Sequence, residues 1–217
     1  MAKGGWTTTP LPRDSQRAMT IDSAEAIQRL REGNRRFVEQ THQARTRWDP
    51  AAATEARPFA AVLGCSDARA PAEFVFDVGL GDLFVIRVAG NIVAPSQVGS
   101  IEFAVDAFEV PLVVVMGHTR CGAIAAAARH LKSGEAPRTD SVLRITDRIR
   151  PIIEPVLAVP GLPDPLRAAV RANVLASVAQ LSHGSKLIER LVQSGRLRVV
   201  GAEYELETGR VGFFMDD

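Results

Sequence analysis

Two stretches of this sequence combine residue types that can do chemistry. One is "VLGCSDAR", Val62–Arg69, in which an apolar run ends in glycine and is followed by Cys65, Asp67 and Arg69. The other is "VVVMGHTRCGAI", Val113–Ile124, in which a second apolar run ends in glycine and is followed by His118 and Cys121. The chain has 2 cysteines and 4 histidines, so both cysteines and one histidine fall just past the ends of apolar runs.

Two thiolates and an imidazole suit a borderline-soft cation such as zinc and suit magnesium or calcium poorly, because those prefer oxygen. Three protein ligands leave a fourth tetrahedral position. A closed structural site would fill it with another Cys or His. There is no third cysteine, and no other histidine lies near either segment. The position is then open to water or to a carboxylate, and Asp67 is the nearest candidate. An open zinc position lowers the pKa of bound water from about 16 to about 7, which makes hydroxide available at neutral pH. Asp67 can accept a hydrogen bond from that hydroxide and aim its lone pair at an electrophile, provided it stays ionised and off the metal. Arg69 can hold it there through a two-pronged guanidinium–carboxylate pair. On an extended segment, positions 67 and 69 project to the same side.

Positioning these groups requires strands that end near one another. "PFAAVLG", "LFVIRVAG", "PLVVVMG" and "LRVVGAEYEL" read as strands, and "RVGFFM" as a short final one. Their apolar character is continuous, as expected for strands buried on both faces of a parallel sheet. Helices are expected at about 97–109, 120–132, 139–155, 165–183 and 185–194. Alternation of strand and helix gives an α/β fold: three layers, about four parallel strands plus a short antiparallel edge strand, flanked by helices. In such sheets ligands collect at the carboxyl ends of the strands, where Cys65, His118 and Cys121 would meet. Ahead of the sheet pattern, "DSAEAIQRLREGNRRFVEQ" reads as an extended amphipathic N-terminal helix. Ser23 is its expected N-cap, with a bend expected at Gly33 and Asn34. Residues 1–20 read as a flexible tail and 21–217 as one domain.

Composition narrows the setting. Of 217 residues, 46% are hydrophobic and 24% charged, the profile of a globular protein with a sizeable core. A net charge of +1 gives no reason to expect nucleic acid or an anionic membrane as partner. No run is long enough to span a bilayer, and the N-terminus lacks the apolar core of a secretory signal, so a cytoplasmic location is expected. Thiols stay reduced there, which favours a metal-binding cysteine pair over a disulfide.

"CSDAR" followed by "GHTRCG" resembles the β-class carbonic anhydrases, zinc enzymes that interconvert carbon dioxide and bicarbonate. "LREGNRRF", "FDVGLGDLFVIRVAGN" and "GSIEFAVDAFEVPLVVVMGH" extend the resemblance from about residue 24 to 206. It implies zinc bound by Cys65, His118 and Cys121, with Asp67 and Arg69 as catalytic dyad and Asp67 as a fourth ligand in a closed state. It also implies that Gly122 offers a backbone N–H beside the zinc-bound oxygen, and that Phe84, Ala89 and Phe103 line the carbon dioxide pocket. A homodimer or tetramer is implied as well. Two positions depart from the family pattern: Ala56 stands where many members have glutamine, and Phe103 where many have tyrosine. Val62 stands where a subset has a tryptophan that helps form an inhibitory bicarbonate site, so that site, with Arg87 and Tyr204, is expected to be absent or altered.

Plainer readings compete. A lone cysteine is usually a small buried apolar residue, and Asp67–Arg69 could be a surface ion pair worth about 0–1 kcal/mol. The conjunction of all five residues favours the enzyme. A related substrate such as carbon disulfide or carbonyl sulfide is one alternative, and a zinc or redox sensor without turnover is another. His42, His130 and His183 read as solvated or structural.

Overall fold

The computed structural model describes residues 21–42 and 56–214; the expected tail at 1–20 lies outside them. Among the described residues five strands form one sheet in the order β2-β1-β3-β4-β5. They are β1 (Ala60–Gly64), β2 (Leu83–Arg87), β3 (Leu112–His118), β4 (Arg198–Tyr204) and β5 (Val211–Phe214). The first four are parallel, and β5 returns antiparallel to β4 at the edge. Every residue of β1 and β3 is buried, which accounts for their unbroken apolar sequence.

Helices α1 (Ser23–Val38) and α2 (Ala72–Val75) cover one face of the sheet. There Leu30, Phe76 and Ala26 pack on Val62, Val114 and Ala202. Helices α3 (Pro95–Ala107), α6 (Pro165–Gly184) and α7 (Lys186–Gln193) cover the other, around Leu63, Val113 and Val115. Helices α4 (Gly122–Ser133) and α5 (Asp140–Leu157) pack with α6 in a third cluster, which includes both cysteines. The architecture is therefore three-layer α/β with a mostly parallel sheet. The sequence did not announce the four-residue α2, and the glycine-containing turn at Ala89–Asn91 takes a 3₁₀ form.

One expectation for α1 is corrected. Its N-cap is Asp22, whose carboxylate accepts from the Glu25 amide at 2.8 Å; Ser23 is the first helical residue. The helix runs on through Gly33 and Asn34, where its apolar pattern is interrupted. Gly33 lies so close to the chain after α2 that a Cβ there would sit 1.8 Å from the Phe76 carbonyl oxygen. Asn34, also buried, donates to the Val75 and Gly209 carbonyls at 3.1 and 2.9 Å and accepts from the Val211 amide at 2.9 Å. The interruption in the apolar pattern is thus a docking face, where the helix meets backbone rather than side chains. It seats α1 on its own sheet.

Sheet register sets the site. Gly64 ends β1 opposite Met116, while β3 runs two residues further to His118, which is paired with Tyr204. Cys65 leaves β1 level with that overhang. His118 is the last residue of β3 rather than the first after it, and Cys121 is the N-cap of α4.

Substituting Gly33→Ala should cost roughly 1–3 kcal/mol of stability, because the collision is with backbone. Gly99→Ala, where a Cβ meets nothing within 4 Å, should instead raise it by about 0.5–1 kcal/mol through helix propensity. Denaturant titration of both variants checks the contrast.

Candidate metal centre

Cys65, His118 and Cys121 are all buried, and their ligand atoms lie within 4.8 Å of one another. The two sulfurs are 3.9 Å apart and do not form a disulfide. Thiolates held at about 2.3 Å on a tetrahedral ion stand roughly 3.8 Å apart, so the spacing fits. His118 Nδ1 lies 2.9 Å from the Thr119 carbonyl oxygen, to which it donates. This leaves Nε2 as the ring's lone-pair atom, and Nε2 is buried with no hydrogen-bond partner. A buried imidazole nitrogen without a partner, beside two sulfurs, is a donor set that calls for a cation.

The surrounding backbone supports each ligand. The Gly90 amide donates to Cys65 Sγ at 3.3 Å. Cys121 sits at the N-terminus of α4, where the Ala123 and Ile124 amides approach its sulfur. Thr119 is held by its hydroxyl, which donates to Glu207 at 2.9 Å and accepts from the Leu206 amide at 3.0 Å. Arg87 donates to the carbonyls of Cys65, at 3.0 Å, and Asp67, at 2.6 Å, clamping the loop between them.

The charged pair is formed as the spacing requires. Arg69 Nε donates to Asp67 Oδ1 at 2.9 Å and Nη2 to Oδ2 at 2.8 Å, while the Arg69 amide adds a third bond to Oδ1 at 3.0 Å. Asp67 Oδ2 is 3.9 Å from His118 Nε2, beside the ligand cluster but held away from it. The Arg69 hydrogen bonds hold the Asp67 carboxyl well below the usual carboxylate range. It is therefore ionised at neutral pH and loses its charge only in strong acid. The two sulfurs lie within hydrogen-bond distance of each other. The hydrogen bond from Cys121 pulls Cys65 down to about 4, and the same contact, with burial, pushes Cys121 up. Burial works against charging His118, but the adjacent Cys65 sulfur outweighs it and the ring's pKa is raised.

The pocket residues divide. Gly122 is the exposed first residue of α4, next to Cys121. Ala89 opens the 3₁₀ turn whose next residue, Gly90, touches Cys65. Phe84 and Phe103 are elsewhere in this chain. Phe84 is level with Ala61, three strand residues short of Gly64 and Arg87. Its ring packs 6.1 Å from Phe103 and 5.9 Å from Phe108, and Phe103 is 55% exposed. Val62 is buried in the sheet, Tyr204 is buried at the end of β4, and Ala56 is exposed. Sequence reasoning missed the supporting groups: Gly90, the Arg87 clamp and Thr119. Only "VAGN" hinted at one of them, since a Gly-Asn pair tolerates the left-handed backbone seen at Gly90 (φ 69°) and Asn91 (φ 42°).

The family model for carbonic anhydrase matches residues 60–211, most of the chain. The chain belongs to the β-class carbonic anhydrase family. It is 40% identical over 185 residues to a carbonic anhydrase of Mycolicibacterium smegmatis, covering 84% of this chain and 88% of that one. It superimposes on a Coccomyxa β-carbonic anhydrase, solved with acetazolamide, with a TM-score of 0.67 and 26% identity, over 85% of this chain and 84% of that one. A tetrameric β-carbonic anhydrase of Sordaria macrospora shares the fold with a TM-score of 0.67, at 24% identity, over 76% of this chain and 84% of that one. The chain is thus an enzyme of a family whose reaction is carbon dioxide hydration, with a Cys–His–Cys group able to hold a metal. No helix among the described residues is long and apolar enough to cross a membrane.

Metal binding by thiolates and a neutral imidazole would displace the thiol protons, and the His118 proton where the ring is charged. Affinity should therefore rise with pH and uptake should release protons. Calorimetric titration in buffers of different ionisation enthalpy measures this; uptake without proton release would contradict the assignment.

Proposed function

We propose that this chain binds zinc through Cys65, His118 and Cys121 and catalyses the reversible hydration of carbon dioxide to bicarbonate and a proton. The observation that carries the reading is the juxtaposition of a buried, partnerless imidazole nitrogen and two sulfurs with an Asp67 carboxylate held off them by Arg69. The soft donor set and the sulfur spacing favour zinc among divalent ions. Zinc, when bound, supplies the Lewis acidity that makes water a nucleophile at neutral pH.

The chain's own residues would do the rest. Asp67 Oδ1 takes two of the three hydrogen bonds from Arg69, and Oδ2 takes one and keeps a lone pair. That lone pair can accept a proton from the attacking oxygen as a hydrogen bond, turning the oxygen's own lone pair toward the carbon of carbon dioxide. The low carboxyl pKa makes Asp67 an orienting acceptor and not a proton store. Gly122, at the N-terminus of α4, presents an amide that has no partner within its helix, suited to the negative charge that develops on the substrate oxygens. Ala89 borders the same space. Switching Asp67 to a fourth metal ligand, as in a closed state, requires breaking its bonds to Arg69.

Phe84 and Phe103 form an aromatic patch on another part of the chain, so their pocket role requires a second copy. That accords with a homodimer or tetramer, the latter being the state of the Sordaria macrospora neighbour. The reduced thiols the site needs accord with a cytoplasmic location.

Asp67→Asn should lower kcat/KM for hydration by about 10²–10⁴ while leaving the metal content of the purified protein unchanged. Unaltered turnover would remove the dyad mechanism. Sedimentation should give a particle at least twice the 23.4 kDa chain mass; a monomer would remove the shared pocket.

A further inference from the structure

Cys65 depends on a part of the chain that contributes no ligand. The amide reaching its sulfur belongs to Gly90, in a turn where two successive residues, Gly90 and Asn91, have left-handed backbone. Glycine and asparagine tolerate this backbone but neither is confined to it, so its surroundings must hold it. Two side chains of α6 do so. Asn173 Nδ2 donates to the Gly90 carbonyl at 2.9 Å, and Ser177 Oγ donates to the Asn91 carbonyl at 3.3 Å. Each is 1% exposed, and the pair is one helical turn apart on one face of α6.

α6 can reach the turn because the sheet lets it approach. A Cβ at Gly117 would lie 2.5 Å from Val174 Cγ2, and one at Gly201 would lie 2.9 Å from Val174 Cγ1. Glycines in β3 and β4 therefore make the groove that seats Val174, and its neighbour Asn173 meets the turn. On the turn's other side a Cβ at Gly90 would lie 2.8 Å from Ile149 Cδ1 and 3.1 Å from Ala123 Cβ, so the turn is gripped from both sides.

We propose that Asn173 is a positioning residue for the metal centre: by bonding the Gly90 carbonyl, it aims the Gly90 amide at the sulfur of Cys65. An N–H bond to a thiolate withdraws charge from sulfur, weakening its donation and leaving the ion more electrophilic. This rests on the metal reading above. The relay Asn173–Gly90–Cys65 adds to that reading a tuning element carried on a helix that supplies no ligand.

The test uses the full chain loaded with cobalt(II), whose sulfur-to-metal charge-transfer band reports directly on thiolate donation. Asn173→Leu should shift that band to lower energy, because a Cys65 sulfur released from the Gly90 amide regains charge and donates more strongly. Val174→Ala, which loosens the same helix without removing either hydrogen bond, should lower stability and leave the band in place. Asn173→Ser, smaller and easier to accommodate, should reproduce the shift if Asn173→Leu does not fold. In the cadmium-113 form of the unaltered chain, the Gly90 amide proton should show coupling to the metal through the sulfur. A band that Asn173→Leu and Asn173→Ser leave unmoved, or a Gly90 amide without coupling, overturns the positioning role alone. An unaltered chain that takes up neither ion overturns the metal reading and this inference with it.

Discussion

The structure depends on bringing three soft donors, two sulfurs and an imidazole nitrogen, into one buried space. The chain alone satisfies the set poorly: the sulfurs face each other at 3.9 Å and His118 Nε2 is buried with no hydrogen-bond partner. A fold tolerates such an arrangement when something else completes it. The sheet makes the convergence possible because β1 and β3 are neighbours and parallel, so their carboxyl ends open side by side. The two-residue overhang of β3 sets Cys65 level with its last turn of pleat, and α4, starting at once after Cys121, returns the second sulfur to the same place.

Around that centre the charges are arranged to keep functions separate. Asp67 is close enough to share the site but is tied to Arg69 by three hydrogen bonds. Arg87 holds the same loop by its carbonyls, so Asp67 is fixed at both its backbone and its side chain. Thr119 couples the orientation of His118 to the chain after β4, through Leu206 and Glu207. The centre is thus braced by β2, by the segment after β4 and, through the Gly90 turn, by α6. Each brace uses backbone carbonyls or amides.

Much of this was legible in the chain. Continuous apolar runs showed strands buried on both faces, and Cys65, Asp67, Arg69, His118 and Cys121 stood out because their types and spacing make sense only together. Less legible were features whose meaning depends on what lies across from them. Gly33 and Asn34 read as a flaw in an amphipathic helix, yet they dock α1 against the Phe76 and Val211 backbone. Phe84 and Phe103 read as pocket lining, yet within one chain they pack with Phe108 on a separate patch. Arg87 stood out only as part of a bicarbonate site expected to be altered, and it is the clamp on the loop that carries Asp67 and Arg69.

By itself the sequence determined the fold class, the donor set and the carboxylate–guanidinium pair. These are local properties: apolar periodicity declares strands, and side-chain chemistry declares ligands. The tertiary structure alone decided the sheet order, the overhang of β3, the seating of α6 in its glycine groove and the reach of Asn173 to Gly90. Those contacts join residues far apart in the chain through backbone groups that every residue possesses, so no residue type marks them in advance.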